Sequence, residues 1–428
     1  GEQATTFVAK AELIKALEAI QVLNIDLENP VFDATIINNL ASDDNPEVLD
    51  DDKLNTLLDS TIIHASMSKM IIDLTTGDGG AEAVIIVPYF DESGIAVRIE
   101  DDLGNEYLSK SELISLFKAY YSLDITDFNA VDSLDINTIL DNFDTLILSA
   151  TLHATVSDQV INMESEAIVV PQIDHLDQPV IIVVGTEEKQ TTYIASNELR
   201  ATFDALEVMN IDFENPAFDA TLIDNLAEDD DPETLDEAKL DTLFDSIIIH
   251  ASISKMLFDL TEGEEAVLSV PYYDADLDVV RFKDVHGVEY VSEQELRNAL
   301  AALNKLNISD FNNVETLTLN DINTNFDVLI ASAILHATIS DQLLTLESDD
   351  VSIPYYDYNG VSIRITVGSL EKKTVYIDKN ELESTFIALE LLGVDGLNQV
   401  DINIDLTDFY DPENRNKLMA SAIVHSAI

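Results

Sequence analysis

Cysteine is absent from this chain of 428 residues. Disulfides, cysteine-ligated zinc and thiol nucleophiles are therefore excluded. Tryptophan is absent too, and basic residues are scarce. Twenty-one Lys and Arg stand against 83 Asp and Glu, a formal net charge of −62. That balance excludes the basic stripe by which proteins track nucleic acid, and it opposes docking on anionic membranes. No apolar run reaches the roughly 18–20 residues needed to span a bilayer. The longest uncharged stretches, residues 145–157 and 328–340, are punctuated by Ser, Thr and His. With only 13 Gly, long flexible linkers are missing as well. The chain opens Gly-Glu-Gln, without Met or a secretory leader, and stops inside an apolar helical pattern at Ile428. The expectation is a fragment of a longer protein.

What is present is a sequence able to build packed cores. Apolar residues make up 46% of it, with 16 Phe and 13 Tyr, so it lacks the low hydrophobicity of a disordered chain. It also repeats itself. Phe7-Val-Ala-Lys-Ala-Glu-Leu13 returns as Tyr193-Ile-Ala-Ser-Asn-Glu-Leu199. Asn24-Ile-Asp-Leu-Glu-Asn-Pro30 returns as Asn210-Ile-Asp-Phe-Glu-Asn-Pro216. A second pair matches Tyr107-Leu-Ser-Lys-Ser-Glu-Leu113 with Tyr290-Val-Ser-Glu-Gln-Glu-Leu296, and a fifth copy opens at Tyr376. Starts at Phe7, Tyr107, Tyr193, Tyr290 and Tyr376 alternate long and short modules, spaced 100, 86, 97 and 86 residues apart.

Within each module the periodicities predict a strand end, a short helix such as residues 110–121, an irregular segment, and a longer helix over about 135–163 or 321–346. A β meander follows: an apolar run at 83–90, a turn at 91–94, a strand at 95–100, a turn at 102–105 and a strand at 106–108, with the same plan at 351–377. The fold class expected is an α+β tandem repeat, helical units alternating with small antiparallel β meanders in an elongated array. The helical units fall at 1–82, 110–166, 196–265, 293–349 and 379–428, and the meanders at 83–109, 167–195, 266–292 and 350–378. The long units differ by an acidic insertion, residues 41–52 and 227–237. The short ones have compact joints at 129–135 and 312–320.

Three groups of residues invite a chemical reading. The Glu that opens each first helix suggests an EF-hand. Placing Glu112 at loop position 12 puts Leu103 where a ligand is required and Glu106 where the turn glycine belongs, so the pattern fails. A capping box accounts for the Glu instead, pairing Ser109 with Glu112, Ser292 with Glu295 and Asp378 with Glu381. Ala9 and Ala195 occupy the cap position in the first and third modules.

Histidine is the second group. His64, His153, His250, His336 and His425 share one module position, each with Ser four residues earlier and, in the four complete modules, four later. Helical spacing places these on one face. A serine nucleophile would need an acid partner and an oxyanion hole, and neither recurs. One His per module supplies a single metal ligand. A histidine held by hydroxyls or backbone is the expected role, with a pH-sensitive element as the alternative.

The third group is the acidic insertions. Asp43, Asp44 and Asp51, with Asp229, Asp230 and Asp236, are the candidate calcium ligands. The competing role is a helix start, with Asn45, Asp231 or Asp411 as N-cap and Pro46, Pro232 or Pro412 as first helical residue. No Gly-rich phosphate loop, His-Glu-x-x-His or Gly-x-Ser-x-Gly occurs.

The acidic, cysteine-free modules resemble, in style, repeat regions of large bacterial or archaeal surface proteins. The expected function is non-catalytic: an adhesive or spacer stalk of an extracellular or cell-surface protein. The alternative is a self-assembling subunit of a filament or surface layer, stabilised by calcium. Partners would be a surface protein, a glycan or copies of the chain itself, with no nucleic acid and no membrane span.

Overall fold

The computed structural model describes residues 7–26, 28, 35–76, 97–125, 134–163, 170–174, 176–185, 190–211, 221–262, 281–308, 317–346, 355–357, 359–368, 373–394 and 410–427. The fold is α+β: among the described residues there are nineteen helices and four antiparallel two-stranded sheets. The chain separates into two compact units. One holds residues 1–167, 177–207 and 212–214; the other holds 168–176, 208–211 and 215–428.

The first unit runs α1 (Lys10–Val22), α2 (Thr35–Asn39), α3 (Asp51–Asp59), α4 (Thr61–Thr76), β1 (Arg98–Glu100), β2 (Glu106–Leu108), α5 (Lys110–Ser122), α6 (Ile136–Asp141), α7 (Phe143–Ile147), α8 (Ala150–Met163), β3 (Ile181–Gly185), β4 (Gln190–Ile194) and most of α9 (Ser196–Val208). The second runs α10 (Thr221–Asn225), α11 (Glu237–Asp245), α12 (Ile247–Glu262), β5 (Arg281–Lys283), β6 (Glu289–Val291), α13 (Glu293–Lys305), α14 (Leu319–Thr324), α15 (Phe326–Ala331), α16 (Ala333–Leu346), β7 (Arg364–Gly368), β8 (Lys373–Ile377), α17 (Lys379–Leu391), α18 (Pro412–Ala420) and α19 (Ala422–Ala427).

Helices pack in threes. In the first unit α1, α3 and α4 pack together, and so do α5, α7 and α8. In the second, α13, α15 and α16 form one trio, and α17, α18 and α19 another. The spacing of apolar residues dictates this. On α5, Leu113, Leu116, Phe117 and Tyr120 recur every three or four residues and all are buried. Full burial of such side chains stabilises by roughly 1.5–3 kcal/mol each. A left-handed residue closes each first helix where it is described: Asn24, Asp124, Asn307 and Gly393 follow α1, α5, α13 and α17, and Asn210 follows α9. After α1 the amide of Ile25 returns to Ile20 O at 3.1 Å, so the orphan carbonyls are met.

The hairpins are short. β1 pairs with β2 from Arg98↔Leu108 to Glu100↔Glu106, and β7 with β8 from Arg364↔Ile377 to Gly368↔Lys373. An aspartate shapes the turn. Asp101 accepts from the amides of Leu103 and Asn105 and from the Tyr107 hydroxyl, and Asp284 repeats this with His286, Val288 and Tyr290. These bonds, led by the Asn105 amide, hold the Asp101 carboxyl at about 2. The apolar run expected at 83–90 and the turn at 91–94 lie outside the described residues, as does most of the joints at 129–135 and 312–320. In the fourth hairpin the expected turn at 357–360 is present: Gly360, at φ +77°, donates to Asp357 O, and Tyr356 bridges to Ser362.

Three expectations are corrected. The helices expected over 135–163 and 321–346 are each three helices, broken at Asn142 and Ser149 and at Asn325 and Ser332. Nothing in the apolar run 145–157 signals a break. Serine makes it affordable by capping the helix that follows. The Asx-Pro-Glu motif starts a helix at Asp411 alone, where the carboxylate accepts from Glu413 N at 2.8 Å. At Asn45 and Asp231 it forms a tight turn, and the helices begin later, capped by Asp50 and Asp236. The third correction concerns the capping boxes and belongs to the site itself.

Candidate functional site

The residues that repeat most faithfully converge where one helix, the start of a second and the end of a strand meet. Its first component is the Glu. Ser109 does cap α5, accepting from Glu112 N at 3.1 Å. The Glu112 carboxylate does not return the bond. It crosses to the N-terminus of α8, accepting from Ser149 Oγ at 2.8 Å, Thr151 N at 2.9 Å and Ala150 N at 3.1 Å. Glu295 does the same for α16 through Ser332 Oγ and Ile334 N, and Glu381 for α19 through Ser421 Oγ and Ile423 N. Glu12 reaches Ser60 Oγ at 2.8 Å and Ile62 N at 3.0 Å at the start of α4. Asp378, the third expected box, accepts from Asn380 N rather than Glu381 N. A reciprocal box does form elsewhere, between Thr318 and Asp321.

The serine is the N-cap of the histidine helix. Ser60, Ser149, Ser246, Ser332 and Ser421 accept from the amides of Ile63, Leu152, Ile249, Leu335 and Val424. A helix start leaves four amides without partners. Serine takes one, the distant Glu takes one or two more, and its negative charge suits the positive end of the helix dipole.

The histidine comes one turn later and fastens the strand. His64 Nε2 lies 2.7 Å from Leu108 O, His153 Nε2 2.8 Å from Ile194 O, His250 Nε2 2.8 Å from Val291 O and His336 Nε2 2.9 Å from Ile377 O. A carbonyl only accepts, so Nε2 carries the proton. In two modules the second serine completes the clamp. Ser157 Oγ accepts from Ile194 N at 3.1 Å and Ser254 Oγ from Val291 N at 3.3 Å. Thus α8 and α12 satisfy both backbone groups of the last strand residue, as a neighbouring strand would. The preceding tyrosine lies against the imidazole, at 4.9 Å between centroids for His153 and Tyr193 and 5.0 Å for His336 and Tyr376.

Burial separates copies of the same arrangement. Glu112 is buried, and desolvation pushes its carboxyl up although the hydrogen bonds from Thr151, Ala150 and Ser149 pull the other way. Glu381 is raised for the same reason. Glu12 is half-exposed, and the Ile62 amide and Ser60 hydroxyl lower it instead. Chemically, the hydroxyls of Ser60, Ser149, Ser332 and Ser421 each donate to a carboxylate, and the imidazoles of His64, His153, His250 and His336 each contact a backbone carbonyl. That is the wiring of a structural clamp, not of a nucleophile and its base. His425 stands apart: it is exposed at the end of α19.

The acidic insertions close on themselves. Ala41 bridges to Leu49 and Ala227 to Leu235, and Lys53 and Lys239 reach back to the Ala41 and Ala227 carbonyls at 2.7 and 2.9 Å. The same ammonium groups pair with Asp43 at 2.9 Å and Asp229 at 3.2 Å. Asp51 pairs with Lys118, and Asp236 is the N-cap of α11. Asp44 and Asp230 are exposed. Among the described residues no three acidic or histidine side chains gather as metal ligands would. A cation bound there would compete with the lysines. A groove of about 610 Å³ beside α11 and α13 is crossed by Arg297, which pairs with Glu237, Asp241 and Glu293.

No described helix is long and apolar enough to cross a membrane. No protein-family model matches the chain, and no curated protein or solved structure matches it.

The sequence reading missed the long reach of the Glu. One signal for it was available. Glu12 and Glu198 follow Ala9 and Ala195, where no capping box can form, so a local cap could not be their purpose.

Proposed function

We propose that this chain is a non-catalytic segment of a large extracellular or cell-surface protein, a stiff spacer or adhesive stalk assembled from tandem α+β modules. The observation that carries the reading is the Glu–Ser–His clamp. It engages Glu12, Glu112, Glu295 and Glu381, the serines they meet and four of the five repeated histidines in joining helix to helix and helix to strand. Ion pairs reinforce the joints between successive segments within each unit: Lys110 with Asp59 and Arg200 with Asp144 in the first, Arg297 with Asp241 in the second. A chain with 83 acidic residues against 21 basic ones stays soluble and repels anionic surfaces and its own copies at low salt, as an extended stalk requires. Its partner would be a surface protein, a glycan or another copy.

Antibodies raised against the chain test the location. They should label intact, non-permeabilised cells of the source organism. Labelling that requires permeabilisation would remove the surface reading. A second reading, a self-assembling subunit of a filament or surface layer, is favoured by one observation, the apolar face that α1 leaves exposed.

A further inference from the structure

The two joints at which a short helical unit follows a long one are built alike but not lined alike. At the first, Lys118 on α5 crosses to Asp51 on α3 at 3.2 Å. At the second, Ala301 stands where Lys118 does and Glu237 where Asp51 does. Alanine is too short to cross, and the groove beside α11 and α13 stays open at about 610 Å³. That volume is in the range of small-ligand sites. The polar lining differs as well. Gln294, Asn298 and Asn304 stand where α5 carries Ser111, Ser115 and Tyr121. The residues common to both joints hold the fold, so those that differ are not required by it.

We propose that this groove binds a neutral oligosaccharide. Charge narrows the ligand first. Glu233, Glu237 and Asp241 line the groove against Arg297 and Lys305. Both cations are already paired, Arg297 with Glu237, Asp241 and Glu293, and Lys305 with Glu233 at 3.9 Å. An anion meets the surplus of carboxylates there and the net charge of −62 on the whole chain. A cation has to displace Arg297 or Lys305. A neutral ligand meets neither obstacle. The amides then set its chemistry. Gln294 Nε2 donates to Asn298 Oδ1 at 3.1 Å, and Asn298 Nδ2 donates to Ala331 O at 3.0 Å. These two bonds leave the Gln294 carbonyl oxygen and one N–H on each amide for a ligand. The Asn304 side-chain amide, bonded to no described residue, adds two donors and an acceptor. Paired donors and acceptors match neighbouring sugar hydroxyls, which both give and take hydrogen bonds. Ala301 and Val328, the latter 37% exposed, supply an apolar wall for the C–H face of a sugar ring. The inference rests on the adhesive half of the proposed function and names its ligand, yet it fails separately. A chain that labels at the cell surface and binds no sugar keeps the stalk and loses the site.

Side-chain amide NMR of isotope-labelled protein tests it, with the Gln294, Asn298 and Asn304 signals assigned by substitution. Cellohexaose, chitohexaose and mannohexaose are titrated separately, beside inorganic phosphate and spermidine. At least one neutral hexamer should shift these amides saturably, with a Kd of about 1 mM or tighter. Ala301→Lys, which rebuilds the Lys118 bridge by reaching Glu237, should weaken this at least about tenfold. Asn304→Tyr should do the same by removing one amide and filling the groove. Both variants carry a residue that α5 already holds at that position, so folding is retained, and thermal melting checks it. Shifts with phosphate or spermidine alone would make the groove an anion or a cation site and overturn the proposal. So would the lack of a response to any hexamer, or variants that bind like wild type.

Discussion

A glutamate that reads as a local cap is the residue that ties two helices together. The local pattern Ser-x-x-Glu was legible at Ser109 and Ser292, and the serine half is correct. The acceptor's true donors lie 37 to 39 residues onward for Glu112, a distance no local pattern encodes. Replacing Glu112 by Ala strips a buried hydroxyl and two buried amides of their acceptor, and should cost about 2–4 kcal/mol in denaturant unfolding. Glu112→Gln keeps one carbonyl oxygen and sheds a buried charge, so it should cost about 1 kcal/mol. Equal costs would contradict the assignment. The pH response follows from the opposite shifts. Glu112, raised by burial, contributes most below the unfolded glutamate value of about 4.3, and that contribution is lost as pH rises through its folded value. Glu12, lowered by its hydrogen bonds, contributes above that value and loses it as pH falls. Carboxyl-carbon NMR titration should place the Glu12 midpoint below the ordinary glutamate value and the Glu112 midpoint above it.

At the scale of elements, helix and hairpin positions were readable because apolar spacing and turn residues are local signals. The first helix was expected over 110–121 and is observed at Lys110–Ser122. The breaks at Ser149 and Ser332 were not readable, since serine within an apolar run looks like a tolerated helix residue until a remote carboxylate is seen to share its amides. The acidic insertions show the same limit. Asn45-Pro-Glu47 carries every helix-start signal, yet the closing bridge of Ala41 and Leu49 turns it into a loop and passes the cap to Asp50. Asp50→Ala should therefore lose about 1 kcal/mol by chemical denaturation. Asn45→Ala should stay within about 0.5 kcal/mol. The reverse order would restore the first reading. Lys53 and Lys239 already neutralise Asp43 and Asp229, so at fixed ionic strength melting should coincide in millimolar Ca²⁺ and in chelator. A clear upward shift with calcium would show that a cation displaces the lysines.

For the whole molecule, repetition and charge were legible from the start, while the part played by the repeated residues was not. Five histidines at one position resemble a row of sites. The contacts of four of them are instead joints between a helix and a strand end, the kind of joint the proposed spacer would need. If the modules are stacked so that each touches mainly its neighbours, the particle is long. A compact globule of this length would have a radius of gyration of about 22 Å. Small-angle X-ray scattering at low protein concentration and physiological salt, where single chains dominate, measures this directly. The account predicts a radius of gyration well above that value, with a distance distribution skewed to long vectors. A radius near the compact value, with a symmetric distribution, would contradict it.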